Sequence, residues 1–404
     1  DIMSNKVPSG SRNVAIVGPY SSGKTTLLES LLSVSGAISR RGRIEDGNTF
    51  GDGTPEARDR QMTVEINAAS TEYGGIRFTF VDCPGSVELP QETDNALIGV
   101  DAAVIVCEAD PSRVLTLAPL FQFLDTWEIP HLIFLNRMDR ATAPFGEVLA
   151  ALKTVSSRPV IPHQYPICQG TDLVGFIDLV SEQAYHYNHG APAAPELMTP
   201  SLQAEEKAAR TEMLETLADF DDHLLEELLE DIEPPEAEIV QDLKLDLGAD
   251  LVVPLFIGIA TADYGVRPLL DALLREAPEP NVTAERRGLD LGTDAVLAQV
   301  LKTYYTPQGG KLSLVRLWQG ALEDGQTLGG DRMGGLYRLM GQQQQSLSRA
   351  KAGEIVAIAR LDQARTGDTL TTAGEPKTRL PRAAKIDPGY ALAIAPEKRS
   401  DEVK

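Results

Sequence analysis

A glycine-rich segment directly after an apolar run is the feature that constrains this chain most. The segment is Gly18-Pro19-Tyr20-Ser21-Ser22-Gly23-Lys24-Thr25, which fits the pattern G-x-x-x-x-G-K-[ST]. Residues 14–17 before it are apolar and predict a buried strand, and residues 25–32 after it predict a helix. The alternative is a chance glycine turn before a helix, and the order of strand, loop and helix argues against it. The segment therefore predicts a phosphate-binding loop.

The residue types in this loop match what a bound phosphate needs. Glycine lets backbone N–H groups turn toward an anion, and the N-terminus of the next helix adds its positive dipole end. We expect Lys24 to reach the β- and γ-phosphates and the Thr25 hydroxyl to reach Mg²⁺. The predicted nucleotide-binding residues of the loop are Gly18, Ser21, Ser22, Gly23, Lys24, Thr25 and Thr26.

Composition limits the class of protein. The chain has 404 residues and is 42% apolar, which suits two or three globular domains with real cores. No apolar run approaches the ~20 residues of a membrane helix, so we expect no membrane partner. The three cysteines lack C-x-x-C spacing, which indicates a reducing, cytoplasmic location and no structural metal. The net charge of −22 disfavours non-specific binding to nucleic acid, but it leaves open a large ribonucleoprotein partner reached through protein contacts.

The pattern along the chain predicts the order of its domains. Apolar runs alternate with helical patterns from about residue 12 to 280, which predicts an α/β parallel sheet. An interruption at about 155–250, acidic and helical in its second half, predicts an inserted subdomain. After residue 280, short strand-like runs separated by glycines predict a small β-barrel.

A tetrapeptide after the second predicted strand indicates a metal site. Asp82-Cys83-Pro84-Gly85 fits D-x-x-G. An aspartate in this pattern can hold Mg²⁺ through water, and the glycine N–H can sense the γ-phosphate. Alone the tetrapeptide would indicate only a turn. Its position after a strand favours the metal site.

Two later motifs indicate that the base is guanine. Asn136-Arg137-Met138-Asp139 fits N-K-x-D with arginine for lysine. Asp139 can accept hydrogen bonds from N1–H and the 2-amino group of guanine, a pair of donors that adenine lacks, so adenine would leave a buried carboxylate unpaired. Asn136 can tie the base to the phosphate loop, and Arg137 can stack on the base plane. The backbone N–H groups of Gly258-Ile259-Ala260 can meet guanine O6. The ordered motifs therefore favour GTP over ATP.

These motifs and the sequence between them resemble the translational GTPases, and elongation factor G most closely. Residues 57–63 match the family's switch I segment, which makes Thr63 an implied Mg²⁺ ligand beside Thr25 and Asp82. Further similar stretches are residues 175–180, 265–272, 316–320, 367–370 and 392–397. The resemblance implies a P-loop GTPase parallel sheet with an inserted α/β subdomain, followed by an all-β translation-factor barrel.

The resemblance also implies the domain bounds. We expect a G domain over 1–282 and the barrel over 283–376. Residues 377–404 are expected to be a linker and the start of a truncated third domain. We therefore interpret the chain as an N-terminal fragment of a longer protein.

Two positions depart from elongation factor G. In that family a histidine after D-x-x-G orients the attacking water, and here Ser86 stands there. The family carries an aspartate in the phosphate loop, where this chain has Ser21. Residues 45–49 look more like the elongation factor G-like paralogues. The residues that the resemblance places at the reaction centre are Lys24, Thr63, Gly85 and Ser86. Binding is therefore better supported than fast hydrolysis.

The resemblance implies a GTPase that binds GTP or GDP with Mg²⁺ and converts GTP to GDP and phosphate. We expect a monomer that acts on ribosomal RNA and proteins, through the full-length protein, in translocation or ribosome recycling. Two alternatives stay open. One is a ribosome-docking GTP-binding switch with little or no hydrolysis, which Ser86 favours. The other is a ribosomal protection or release-type factor of the same superfamily.

Overall fold

The computed structural model describes residues 10–51, 53–289, 295–305 and 310–387, together with residues 392, 393 and 395. The chain divides into two compact units, residues 1–290 with 339–344 and residues 291–338 with 345–404. Within the predicted third-domain start at 377–404, residues 377–387 contain no helix or strand. Most of the remainder of that range lies outside the described residues.

The first unit combines parallel and antiparallel strands with helices. Its strands are β1 (Ser11–Val17), β2 (Asn67–Tyr73), β3 (Ile76–Asp82), β4 (Ala102–Glu108), β5 (His131–Asn136), β6 (Val160–Pro162), β7 (Gln164–Gln169), β8 (Asp172–Asp178), β9 (Gln183–Asn188), β10 (Ala191–Glu196) and β11 (Val253–Ile257). Its helices are α1 (Lys24–Val34), α2 (Pro55–Arg60), α3 (Pro90–Leu97), α4 (Pro111–Val114), α5 (Ala118–Thr126), α6 (Phe145–Val155), α7 (Pro200–Ala218), α8 (Asp222–Leu229), α9 (Glu236–Gly248), α10 (Val266–Arg275) and α11 (Pro280–Arg286).

A central sheet organises this unit. Its strand order is β2-β3-β1-β4-β5-β11-β6, and every neighbouring pair is parallel except β2 with β3. Strands β1, β4 and β5 are buried along nearly their whole length, as continuous apolar runs in a parallel sheet require. Leucines of α1 and α10 join the core formed by β1, β3 and β4. The predicted α/β parallel sheet is confirmed.

The four sequence motifs lie together at one edge of the sheet. Strands β1, β3, β5 and β11 run in the same direction, so their carboxyl ends meet at one edge. The phosphate loop follows β1, and the D-x-x-G tetrapeptide begins at the last residue of β3. The Asn136 motif begins at the last residue of β5, and Gly258 follows β11. Parallel pairing alone therefore places distant segments of the chain side by side.

The predicted insertion contains its own sheet and core. Strands β10-β9-β8-β7 form an antiparallel sheet. Helices α7 and α9 contribute buried Leu214, Leu217, Ile239 and Leu243 to one cluster with Ile177 of β8. The acidic segment is thus part of a packed α/β element, and some of its carboxylates, such as Asp242 and Asp246, are themselves buried.

The second unit is all β in the residues described. Its strands are β12 (Leu297–Tyr305), β13 (Lys311–Gln319), β14 (Ala321–Glu323), β15 (Thr327–Leu328), β16 (Asp331–Arg332), β17 (Gly335–Met340), β18 (Gln343–Ser346), β19 (Arg349–Lys351), β20 (Ile355–Ala359) and β21 (Thr369–Leu370). Strands β21-β12-β13-β20-β17 pair antiparallel, and β14–β19 and β15–β16 form two short ribbons. Alternating apolar residues fill its core. The predicted all-β domain is confirmed.

The first unit extends past the predicted bound at residue 282. Helix α11 crosses that position, and its Thr283 and Ala284 are fully buried. These side chains belong to the packing of the first unit, so the chain leaves that unit only near residue 290. Among the described residues, no helix combines the length and apolar character needed to cross a membrane.

A buried ion pair joins the start of the insertion to α10. His163 Nε2 lies 3.1 Å from Glu276 Oε1, and both side chains are almost completely buried. Burial lowers the pKa of His163, but the charge and hydrogen bond of Glu276 outweigh burial and raise that pKa above its usual value. The histidine ring also stacks on Phe256 of β11, with ring centres 4.6 Å apart. Folding therefore favours the protonated imidazole.

We predict that His163→Gln lowers the free energy of unfolding of the first unit by about 3 kcal/mol. Because the folded pKa of His163 is raised, its contribution is complete below the unfolded pKa of about 6.5 and is lost as pH rises through the folded pKa. Urea unfolding at pH 5.5 and pH 8.5 tests this, and the loss should be larger at pH 5.5. His223→Gln is the control, since His223 pairs with Glu238 at the surface. Equal losses for both variants would contradict the prediction.

Candidate functional site

The phosphate loop between β1 and α1 accepts only glycine at two places. Gly18 and Gly23 have φ of +139° and +96°, and a Cβ there would collide with the Val106 carbonyl and the Asn136 side chain. The Ser22 hydroxyl is buried, and no group among the described residues hydrogen-bonds it. Backbone packed this closely around an unsatisfied hydroxyl fits a phosphate cradle. Ser21 has φ of +65° and is exposed.

Lys24 lies where the loop meets the D-x-x-G segment. Its side chain is buried, and Nζ donates a hydrogen bond to the Pro19 carbonyl at 2.9 Å. Burial lowers the pKa of Lys24, and the charge of Asp82 partly offsets that effect. A Cβ on Gly85 would collide with this amine, so Gly85 brings its backbone directly against Lys24. The structure thus brings together Lys24 and Gly85, two residues that the resemblance assigns to the reaction centre.

Three oxygen atoms from three segments converge beside the loop. Asp82 Oδ2 accepts hydrogen bonds from Thr25 Oγ1 at 2.9 Å and from Thr63 Oγ1 at 3.1 Å. The two hydroxyls lie 3.1 Å apart, and all three side chains are buried. Gly51 approaches so closely that a Cβ there would lie 2.9 Å from Thr63 Oγ1. Two hydroxyls and a carboxylate are hard oxygen donors, so this cluster fits Mg²⁺.

Asn136 links two of the strand ends. Its Nδ2 donates to the Ser22 carbonyl at 2.9 Å, and its Oδ1 accepts from the Ala260 N–H at 2.9 Å. The amide is 2% exposed. It therefore fixes the phosphate loop against the loop after β11, and its expected link to the base stays a prediction.

The backbone N–H groups of the loop after β11 already have hydrogen-bond partners within the protein. The N–H groups of Gly258 and Ile259 donate to the carbonyls of Leu135 and Tyr264, and that of Ala260 donates to Asn136. Their predicted contact with guanine O6 stays a prediction. A base contact here would require one of these N–H groups to be shared.

The other two residues of the Asn136 motif face outward. The Asp139 side chain is 43% exposed because it belongs to a surface 3₁₀ turn, Met138–Arg140, and its carboxylate lies 3.8 Å from Arg140 Nε. Its hydrogen bonds to a guanine base stay a prediction. Arg137 has φ of +57°, and its guanidinium pairs with Glu108, which also meets Arg113 at 2.9 Å. Only the aliphatic stem of Arg137 remains to pack on a base.

Ser86 follows Gly85 at the rim of a cleft of about 1030 Å³ that also borders Gly18. The Ser86 hydroxyl accepts a hydrogen bond from the Glu88 N–H at 3.3 Å. The Glu88 carboxylate is exposed and lies 3.5 Å from Arg60. A hydroxyl used in a local turn is short and uncharged, so Ser86 does not supply what an imidazole would.

Sequence reasoning missed Glu29. This residue lies on the buried face of α1 among leucines, and its carboxylate accepts hydrogen bonds from the N–H groups of Gly42 and Phe50, each at 2.8 Å. These two hydrogen bonds hold residues 42 and 50, which precede Thr63 in the chain, against α1. The available signal was a single acidic residue within the apolar pattern of residues 27–32. Thr26 and Glu29 line a cavity of about 720 Å³ together with Thr261.

The parallel sheet, the glycine cradle and the Thr25–Thr63–Asp82 cluster have the arrangement of a P-loop nucleotide-binding domain. Residues 9–279 match the family model described as the elongation factor Tu GTP binding domain, and residues 295–373 match that of elongation factor G domain 2. The chain therefore belongs to the translational GTPases, of the elongation factor G type.

Individual relatives agree with this assignment. The chain is 60% identical over its whole length to an elongation factor G-like protein of Synechocystis, of which it covers 60%. It is 29% identical to elongation factor G of Thermotoga petrophila, with 97% of this chain and 59% of that protein aligned. A crystal structure from Thermus thermophilus is similar with a TM-score of 0.85 and 29% identity, over 97% of this chain and 59% of that one. The chain thus spans about three fifths of the length of these relatives.

We predict that Thr25→Ala weakens nucleotide binding about tenfold in Mg²⁺ and has little effect in EDTA, because the hydroxyl acts through the metal. Isothermal titration under both conditions tests this. Thr79→Ala is the matched control. Thr79 is a buried threonine of β3, and its hydroxyl also has a hydroxyl partner, Ser70. An equal loss with and without Mg²⁺ would assign Thr25 a purely structural role.

Proposed function

We propose that this chain binds GTP and GDP with Mg²⁺ and hydrolyses GTP to GDP and phosphate. The observation that carries the proposal is the convergence of Thr25, Thr63 and Asp82 within 3.1 Å of one another beside the glycine cradle. These oxygens would hold Mg²⁺, which when bound offsets charge on the β- and γ-phosphates. The residues proposed to surround the phosphates are Gly18, Ser21, Ser22, Gly23, Lys24 and Thr26.

The residues around Lys24 account for binding and for part of the chemistry. Lys24 is proposed to place its positive charge at the β- and γ-phosphates, where charge develops in the transition state. The Gly85 N–H is proposed to donate a hydrogen bond to the γ-phosphate. The Thr63 segment would be held in place through the same metal, which makes its position sensitive to the γ-phosphate. The chain therefore supplies positioning and electrostatic stabilisation.

The weak element is the orientation of the attacking water. Ser86 occupies the position expected to do this, and its hydroxyl is engaged with the Glu88 N–H. We therefore propose slow intrinsic hydrolysis. This observation also favours a second candidate function, a ribosome-docking switch that binds GTP and hydrolyses little of it.

For the full-length protein we propose action on the ribosome, in translocation or recycling, as a cytoplasmic monomer. The support is the match to the elongation factor Tu GTP binding domain and to elongation factor G domain 2, together with the 60% identity to an elongation factor G-like protein. Ribosome-stimulated GTP turnover by the full-length protein tests it. No stimulation by ribosomes, with GTP still bound, would favour the switch or an unrelated role.

We predict that Asp139→Asn exchanges the preferred base. The amide can donate a hydrogen bond to the 2-oxo group of xanthine, whereas it faces the 2-amino group of guanine donor to donor. GTP affinity should fall by about tenfold or more, and the affinity for xanthosine triphosphate should rise. Isothermal titration with GTP, ATP and xanthosine triphosphate measures this. Equal affinity of the wild type for ATP and GTP would refute the guanine assignment itself.

We predict that Ser86→His raises GTP turnover only in the full-length protein on ribosomes. The imidazole supplies the reach and charge that serine lacks, and the ribosome is expected to position it. Single-turnover hydrolysis with and without ribosomes, for both proteins, provides the test. Ser86→Ala is the control that removes the hydroxyl. Fast turnover by the isolated wild-type chain would show that another residue orients the water, and Glu88→Gln would then test the nearest carboxylate in sequence.

A further inference from the structure

The loop after β11 has a backbone conformation that needs outside support. A short 3₁₀ turn, Ala260–Ala262, ends at Asp263 in the left-handed region, with φ of +62°. A non-glycine residue keeps such a conformation only where surrounding contacts hold it. Two reciprocal backbone hydrogen bonds between Ile259 and Tyr264, at 3.0 and 3.2 Å, close the base of the loop.

Arg41 provides contacts at the tip of this loop. Its Nη1 donates to Asp263 Oδ1 at 2.7 Å and to the Ala260 carbonyl at 3.3 Å, and its Nη2 donates to the Thr261 carbonyl at 3.3 Å. Both charged side chains are about one third exposed. One planar guanidinium thus binds the left-handed residue and two carbonyls of the turn that precedes it.

Residues of helix α1 support the contact between Arg41 and Asp263. The fully buried Ser30 of α1 donates its hydroxyl to the same Asp263 oxygen. Next to Arg41, the Gly42 N–H is held by Glu29 of α1. On the opposite side of the loop, Tyr264 stacks on Tyr187 of β9, with ring centres 4.3 Å apart. Helix α1 therefore fixes both partners of the Arg41–Asp263 pair.

We infer that Arg41 is a positioning residue for the guanine base, acting through Asp263 on the loop 258–264. The inference rests on the proposed guanine-nucleotide site, because this loop carries the residues expected to face guanine O6. Arg41 lies 222 positions from Asp263, in the segment that leads to Thr63. The pair therefore connects the base-side loop to the segment expected to respond to the γ-phosphate.

Several arginines lie close together here, and their positive charge is a separate influence on GDP binding. The test must distinguish that influence from the Arg41–Asp263 contact. Arg40, Arg41 and Arg43 all line the cavity of about 720 Å³ beside Thr26 and Thr261. Of the three, Arg41 is the one with hydrogen bonds to the loop. Arg40→Gln therefore removes the same charge from the same cavity without removing the contact with Asp263.

The experiment measures dissociation of fluorescent GDP by stopped flow for the wild type, Arg41→Gln, Asp263→Asn, the double variant and Arg40→Gln. We expect each single variant at the pair to release GDP about tenfold faster, because a charged hydrogen bond is lost. The double variant should release GDP more slowly than two independent losses would predict, since both single changes remove the Arg41–Asp263 contact. Asp263→Asn keeps the left-handed preference and the shape, so it guards against misfolding. Arg40→Gln should match the wild type.

A second measurement separates positioning from general weakening. Replacing guanine O6 by sulfur gives a poorer hydrogen-bond acceptor, so the ratio of Kd values for 6-thio-GDP and GDP reports how well the loop is placed. This ratio should fall toward one in Arg41→Gln and recover partly in Arg41→Lys, which keeps the charge but not the fork. An unchanged ratio, or an Arg41→Gln rate equal to the wild type, would overturn the inference. A wild type that binds no guanine nucleotide would instead overturn the proposed function.

Discussion

The two hydrogen bonds of Asn136 are the interactions on which the site depends. One reaches the Ser22 carbonyl in the phosphate loop, and the other takes the Ala260 N–H in the loop after β11. Parallel pairing brings β1, β5 and β11 to one edge, but it does not fix the loops that follow them. A buried amide satisfied on both sides does so, because losing either bond would leave a polar group without a partner in the core. Asn136 therefore links the phosphate loop directly to the loop after β11.

Much of the fold and of the phosphate side could be predicted from local sequence. The phosphate loop has a fixed spacing, strands such as β4 are continuous apolar runs, and parallel strands end at one edge by geometry. Thr63 is different, since no local pattern marks it as a partner of Asp82. Its assignment came from resemblance, and the structure places the two side chains 3.1 Å apart.

The base side was less predictable, for a physical reason. Glu29 and Arg41 act through hydrogen bonds to segments that are 13 to 222 residues away, and such contacts leave no periodic signal. The motif suggested that Asp139 meets guanine, whereas the exposure of its side chain follows from the surface turn that carries it. Side-chain direction at a turn depends on backbone geometry that residue type does not determine. The direction of such side chains therefore depends on the conformation of the loop, which the motif does not determine.

Binding and hydrolysis make different demands on these residues. Binding needs fixed donors and a metal site, and the residues proposed for these roles, Lys24, Thr25 and Asp82, lie at the start of α1 and the end of β3. Hydrolysis also needs a group that aligns water with the γ-phosphate, and at Ser86 the chain places a hydroxyl that serves its own turn. Lost water alignment affects the transition state and leaves ground-state affinity intact, so the two properties can change independently. Under the proposed function, a chain built this way binds GTP while its turnover depends on what an activator adds beside Gly85.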